Sequence, residues 1–483
     1  MAKAASHRRA AAAAGLAAAL VSLAGCKPVG PNYTRPQMTA PPVYKEMGAA
    51  NVTSPPNPAG GGSWQPASPS DGMLRGKWWE IYNDPALNRL EELVTPQNQT
   101  LRAAAETYLA ARDQVQIARS SFFPTLGVGA GFTHDKVSAN RPLAQPGGHT
   151  SYNDLTLTGQ ADWEPDFWGR IRRTVEEARD NAQASAADLA VIDLSLHAEL
   201  AEDYFELRGL DSQSRLLRNT VNDDENQVKL NETLLKGGVV TEVTVAQAQT
   251  ELETVRAELI DVEQGRAQYE HAIATLINQE AGQLSLPPAP IDQPLPQIPV
   301  GVPSQLIERR PDIAAAERRV AAANAQIGIA VSAFYPNIAL GGTGGFESTH
   351  GGTWLQGPSS LWSLGAQATE LLFDAGQRHA VTDQSRHNFE AQSAAYRTTV
   401  LAAFNEVEDR LSDLRVLQQE SVVEDSAVRA AQRSLDLSND RYKGGATSYL
   451  EVLVAETTLL QNQRTQADLQ TRQFAASVLL IRA

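Results

Sequence analysis

The sequence predicts a mainly α-helical protein with four membrane β-strands per chain, built as an internal tandem repeat. Three observations predict it. Ala118–Pro124 (ARSSFFP) returns as Ala330–Pro336 (AVSAFYP), Lys236-Gly237-Gly238 returns as Lys443-Gly444-Gly445, and Val245, Ala248, Thr250 and Leu252 are answered in register by Val452, Ala455, Thr457 and Leu459. Behind each copy of the anchor lie two segments that alternate apolar with small or polar residues. Behind those comes a long stretch without proline. Such a repeat sets the architecture before any local reading. Each half reads helix, strand, loop, strand, long helix, glycine turn, long helix.

The chain opens with Lys3, Arg8 and Arg9, an apolar stretch from Ala10 to Leu23, and no acid. That composition marks residues 1–25 as a secretory signal and not part of a fold. The signal ends in Leu23-Ala24-Gly25-Cys26, a bacterial lipobox in which the cysteine sulfur receives a diacylglycerol and becomes the new N-terminus. Lys27 follows where an aspartate retains many lipoproteins in the inner membrane, so the outer membrane is the expected destination. One acyl chain holds weakly, and two or three hold firmly. Cys26 is the sole cysteine, which excludes an intrachain disulfide although the compartment is oxidising.

The formal charge of −15 becomes more negative once the basic signal is removed, so nucleic acid is excluded as a partner. No apolar run of about 18 residues follows the signal, so any crossing of a membrane has to use strands.

Residues 26–76 are rich in proline, glycine and serine and read as an extended, lipidated tether. The first repeat spans 77–283, a proline-rich linker 284–303, and the second repeat 304–483. In the first repeat a helix is expected from about Pro85 to Arg119, with Leu87, Leu90, Val94, Leu101, Tyr108 and Val115 on one stripe. Its counterpart begins after Arg309-Arg310-Pro311-Asp312 and carries Ile313, Ala316, Val320, Ala323 and Ile327.

Four segments then alternate with period two. Leu126, Val128 and Phe132 oppose Thr125, Gly127 and Thr133; Leu155, Leu157 and Trp163 oppose Thr156, Thr158 and Asp162. In the second repeat Ile338, Leu340 and Phe346 oppose Asn337, Gly341 and Thr343, while Trp362, Leu364 and Ala366 oppose Ser363, Gly365 and Gln367. Successive side chains of a strand point to opposite faces. Runs of about ten residues with aromatics near their ends have the length and girdle of an outer-membrane strand.

A soluble sheet with one wet face would alternate in the same way. Two hairpins in a lipoprotein precursor, joined by long polar loops, favour the membrane. Four strands cannot close a barrel, and an open edge in lipid leaves unpaired backbone groups costing several kcal/mol each. The barrel is therefore shared between copies. Two copies would give eight strands with a filled interior, and three would give twelve with a lumen, which the small inward residues fit better.

Arg170 to Leu235 and Arg378 to Tyr442 contain no proline and step apolar residues by three and four, as in Leu189, Ile192, Leu196 and Leu200. At 1.5 Å per residue each is a helix of roughly 100 Å, a length suited to a conduit through the periplasm. Gly237-Gly238 and Gly444-Gly445 end these helices by taking the left-handed conformation. Return helices follow to about Ile277 and Ile481. Alanine-rich stretches such as Ala182 to Ala190 allow helices to lie close side by side.

These residues resemble the outer membrane factor family of tripartite efflux and type I secretion systems, TolC-like proteins, in its NodT-type lipoprotein branch. The resemblance covers essentially the whole mature chain. It is carried by Val29-Gly30-Pro31-Asn32-Tyr33, Trp78-Trp79 with Asn83-Asp84-Pro85, Arg309-Arg310-Pro311-Asp312, the paired strand starts at Phe122 and Phe334, and the glycine tips. It implies a homotrimer whose twelve-stranded outer-membrane β-barrel continues into a long periplasmic α-helical barrel that tapers to a closed aperture.

By that resemblance the tips are Lys236 to Thr244 and Tyr442 to Glu451. Tyr442 matches a tyrosine of the closing contacts, and Glu451 falls where some members place an acidic ring. Val454 and Thr244 stand where relatives carry acids, so other contacts are expected to hold this gate. The implied partners are a periplasmic adaptor, an inner-membrane RND-type transporter and outer-membrane lipid.

No phosphate-binding loop, no His-x-x-x-His pair and no free thiol is present, which speaks against an enzyme, a metal site or a cofactor. The expected function is a passive exit duct for small molecules. The rival readings are a type I secretion duct and an envelope-spanning structural lipoprotein without a lumen. Cargo, whether drugs, metals, lipids or proteins, is not encoded in any fitted pocket.

Overall fold

Helix, strand, strand, long helix and return helix follow one another twice along the chain. The computed structural model describes residues 27–38, 44–47, 76–138, 151–296, 298 and 309–483. After a short α1 (Pro85–Gln97), the first pass is α2 (Gln99–Ser120), β1 (Thr125–Lys136), β2 (Ser151–Trp163), α3 (Arg170–Lys236) and α4 (Glu242–Leu276). The second is α5 (Pro311–Ser332), β3 (Asn337–Ser348), β4 (Ser360–Thr369), α6 (Gln377–Lys443) and α7 (Tyr449–Arg482). Corresponding helices agree in length: 22 and 22 residues for α2 and α5, 67 and 67 for α3 and α6, 35 and 34 for α4 and α7. No helix among the described residues is long and apolar enough to cross a membrane.

The chain divides into two compact units. The first takes in the described residues up to Gln37 with Thr107–Ala186 and Ala315–Arg397. It holds all four strands, which form one antiparallel sheet in the order β1-β2-β3-β4. The register places Leu126 opposite Ala161, Leu157 opposite Phe346 and Gly342 opposite Leu364. The apolar residues of all four strands therefore share one face.

That face has no core beneath it. Leu126, Val128, Trp362 and Leu364 are 80%, 83%, 78% and 79% exposed. A monomeric sheet in water rarely leaves such a surface bare. The apolar packing of this unit lies on its helices, where Ala118, Ile171, Val175 and Ala178 meet Val115 and Phe122.

The first described residues do not hang free as a tether would. Val29 donates its N–H to Trp168 O at 3.0 Å, Arg173 Nη2 reaches Asn32 Oδ1 at 3.0 Å, Asn324 Nδ2 reaches Pro31 O at 3.1 Å, and Tyr33 Oη donates to Glu317 Oε1 at 2.6 Å. Gly30, at φ +89°, lies so close to α5 that a Cβ there would come within 2.5 Å of Gly328 Cα. The Val29–Tyr33 motif is thus a clasp seated on α3 and α5. Most of the remainder of 26–76 lies outside the described residues.

The second unit takes in Met38–Glu106, Ala187–Ala314 and Thr398–Ala483. Its core gathers Trp79, Tyr82, Leu87, Val94, Leu200, Tyr204, Phe205, Ile273 and Phe474. The single helix expected from Pro85 to Arg119 is two helices that break at Asn98. Pro96 weakens the end of α1 by removing a backbone donor. Asn98 Oδ1 then accepts from Leu101 N at 3.0 Å while its Nδ2 reaches Leu276 O at 2.8 Å, so the side chain caps α2 and ties it to α4.

The described part of the proline-rich linker is a strap. Buried Asp211 takes Arg266 Nε at 2.7 Å, Arg208 Nη1 at 2.9 Å and Ala289 N at 2.9 Å, and Ser212 Oγ accepts from Ile291 N at 3.0 Å. A backbone poor in N–H groups pairs with side chains instead of a ladder. Arg310, of the Arg-Arg-Pro-Asp motif, joins Asp312 at 2.8 Å, Glu406 at 2.9 Å and Ala483 O at 2.7 Å, fixing the start of α5 to α6 and α7.

Candidate functional site

Two helical hairpins, α3–α4 and α6–α7, end in turns of the same construction. Val239 N donates to Leu234 O at 2.9 Å and Gly238 N to Leu235 O at 2.9 Å; Ala446 N donates to Arg441 O at 2.8 Å and Gly445 N to Tyr442 O at 2.9 Å. This crossed pair of bonds is the Schellman helix end, which needs a left-handed residue one position past the cap. Gly238 and Gly445 supply it, with φ +70° and +71°. Gly237 and Gly444 sit one position earlier at ordinary φ.

The hairpins lock together inside one chain. Tyr442 Oη, at the end of α6, donates to Oδ1 of fully buried Asn231 on α3 at 2.7 Å. Its ring lies 5.6 Å from Tyr449, the first residue of α7. Tyr449 and Val452 pack with Val228, Ala248 and Leu252, so all four helices meet in one apolar plug behind the turns. Burial holds the Tyr442 phenol above its ordinary range, so it stays a donor through any physiological pH.

Glu451 sits in the first turn of α7, where a helix N-terminus favours an anion. It is exposed and faces Arg441 at 3.6 Å, an ion pair within the chain. Such an exposed pair contributes at most about 1 kcal/mol. With Ser434, Ser438, Val454 and Thr458 it lines a groove of about 400 Å³ between α6 and α7. Val454 points outward at 60% exposure, and Thr244 is in the first turn of α4.

The structure therefore brings Tyr442 into the contact between the hairpins, assigns the glycine pairs to the turns, and leaves Glu451 on the surface beside Arg441. Cys26 lies outside the described residues. Among those residues no group of three His, Cys, Asp or Glu could hold a metal.

Sequence reasoning missed Asn231 and a set of acids behind the plug, Asp224, Glu251 and Glu456. The signal for two of them was present. Asp224 interrupts the apolar stripe Val221–Val228, and Glu456 the stripe Val452–Leu460, both at helical spacing.

The sequence pattern of the family described as outer membrane efflux protein matches residues 92–279 and 302–483. The chain belongs to the outer membrane efflux protein family. It is 29% identical over 422 residues to the pyoverdine export outer membrane protein OpmQ of Pseudomonas aeruginosa, covering 86% of this chain and 88% of that one. It is equally 29% identical over 407 residues to the toluene efflux pump outer membrane protein TtgC of Pseudomonas putida, covering 84% of each. The fold matches that of the outer-membrane channel OprN at a TM-score of 0.83 and 28% identity, over 94% of this chain and 98% of the channel. This outer membrane efflux protein is accordingly an exit component of the outer membrane.

Proposed function

We propose that three copies of the chain form a passive duct, with twelve strands in the outer membrane and the long helices of each copy walling a periplasmic tunnel. The duct takes small molecules from an inner-membrane RND-type transporter and a periplasmic adaptor to the outside. One observation carries the reading. The four-stranded sheet exposes apolar residues of β1 and β4 on one face, and its order leaves one edge each of β1 and β4 unpaired within the described residues. In lipid both edges need partners, and further copies of the same sheet supply them.

Twelve strands enclose a lumen, whereas eight fill their interior with side chains. The inward face agrees, since Gly127, Gly129, Gly131, Gly341 and Gly365 on it are small. The repeats 77–283 and 304–483 each contribute one hairpin of strands and one hairpin of helices, which supports an origin by duplication. Cys26 carries the lipid that holds each copy at the membrane. The Tyr442–Asn231 bond and the apolar plug hold the hairpin tips closed until an adaptor engages them. The name of OpmQ carries pyoverdine and that of TtgC toluene at the same identity, so the cargo follows from the pump and not from this chain.

Native mass spectrometry and end-on electron micrographs of the detergent-extracted protein test the reading. Three copies around a hollow ring are expected. A monomer, or a trimer without a lumen, overturns it in favour of a structural lipoprotein.

A further inference from the structure

Behind the hairpin tips, three acids from three helices converge, and none of them has an ion-pair partner among the described residues. Asp224 on α3 is 2% exposed, and its Oδ2 is sealed from solvent without a donor. Oε2 of Glu456 on α7 is sealed in the same way. Neither sealed oxygen has a hydrogen-bond partner, and each carboxyl acts on the protonation of the other. Glu251 on α4 stands beside them and accepts from Thr457 Oγ1 at 3.4 Å. Along their helices the plug residues Val228, Val452, Ala248 and Leu252 stand within one turn of these acids.

Ionised carboxylates are acceptors only, so two sealed carboxyl oxygens with no donor in reach are relieved by one proton, which lets one group donate to the other. We infer that Asp224 and Glu456 form a proton-held latch that fastens the α3–α4 hairpin to the α6–α7 hairpin and loosens as the proton is lost. The pair spans the two repeats, so its state bears directly on whether the hairpins stay together.

The electrostatics agree with the geometry. Burial, then the charges of Glu456 and Glu251, push Asp224 up to about 8 from its ordinary 3.8. Burial likewise raises Glu456, while Asp224 beside it works against the rise, the direction a protonated Asp224 donating to an ionised Glu456 would give. The charged groups that act most on the pair are acids: Asp223 on α3, Glu251 on α4 and the other member of the pair. From α6 and α7 the titratable neighbours Tyr442 and Tyr449 are phenols held neutral by burial.

The sign follows from linkage. In the closed state Asp224 keeps its proton up to about pH 8, while in an opened, solvated state it would release it near pH 4. The closed state binds the proton more tightly, so its advantage is complete below about pH 4. It declines as pH rises and is gone above about 8. Between those limits the ratio of open to closed grows by up to about tenfold per pH unit. Asp224→Asn presents a permanent neutral donor to Glu456 and removes the slope.

Infrared difference spectra of wild type against Asp224→Asn, taken across pH 5 to 9.5 on the intact protein, test the latch directly. The wild type is expected to show one extra protonated-carboxyl band that disappears near pH 8. Absence of that band throughout the range overturns the proposal whatever the protein conducts. Single-channel recording then reads the consequence, which rests on the duct reading. Opening should rise with pH to a plateau above about 8 in wild type and stay flat in Asp224→Asn. Equal slopes in both proteins overturn the role of the pair as a latch, whereas a band with no conductance at any pH or in any variant counts against the duct alone.

Discussion

Gly238 and Gly445 show how far a single residue's role can be argued from its backbone. Each holds the left-handed conformation that closes a helix end, at φ +70° and +71°. Alanine there costs about 1 to 2 kcal/mol, because its Cβ crowds the following carbonyl. Gly237 is different, since a Cβ there meets only ordinary contacts, the nearest being Leu234 O at 3.6 Å. Gly445→Ala should therefore raise amide exchange through the α6–α7 turn, while Gly237→Ala leaves the α3–α4 turn as protected as before. Equal effects would show that the pairs act as linkers and not as helix ends. The glycine pairs were legible in the sequence because the left-handed requirement is local. The bond from Tyr442 to Asn231 was not, because its two ends lie on helices far apart in the chain.

At the scale of elements, the period-two runs marked all four strands, and the register sets their apolar residues on one face. Leu364, 79% exposed on that face, is expected to sit in lipid, and its neighbour Ser363 faces the other way. Leu364→Arg should reduce assembly by ~2–4 kcal/mol if it lies near the bilayer middle. Ser363→Arg should assemble normally and alter ion selectivity, a contrast that heat-resistant oligomer on a semi-native gel and bilayer recording would read. The opposite outcome would invert the faces of the sheet. The long helices were equally readable from their three-and-four spacing. The break at Asn98 was not, because Pro96 alone is tolerated near a helix end and the deciding bond reaches across to Leu276 O. The clasp at Val29–Tyr33 and the strap at Leu284–Pro296 escaped the sequence for a related reason. Proline-rich segments look like free linkers until the arginines and aspartates that bind them, Arg173, Arg208 and Asp211, are placed in space.

For the whole molecule, the proposed anchor makes the lipobox a claim about where the chain resides. Cys26→Ser should abolish incorporation of labelled palmitate while leaving the seated clasp, and with it the fold, intact. Undiminished label on the variant would remove the lipid from this account. Sequence alone determined the repeated order of elements, the membrane character of the strands and the glycine turns, since each depends on periodicity or on the conformation of one residue. Only the tertiary structure decided which side chains join the hairpins, where the acids Asp224 and Glu456 meet, and that Glu451 stands outside beside Arg441. Those facts depend on how helices from the two repeats lie against one another, and a contact between residues hundreds of positions apart leaves no local trace in either.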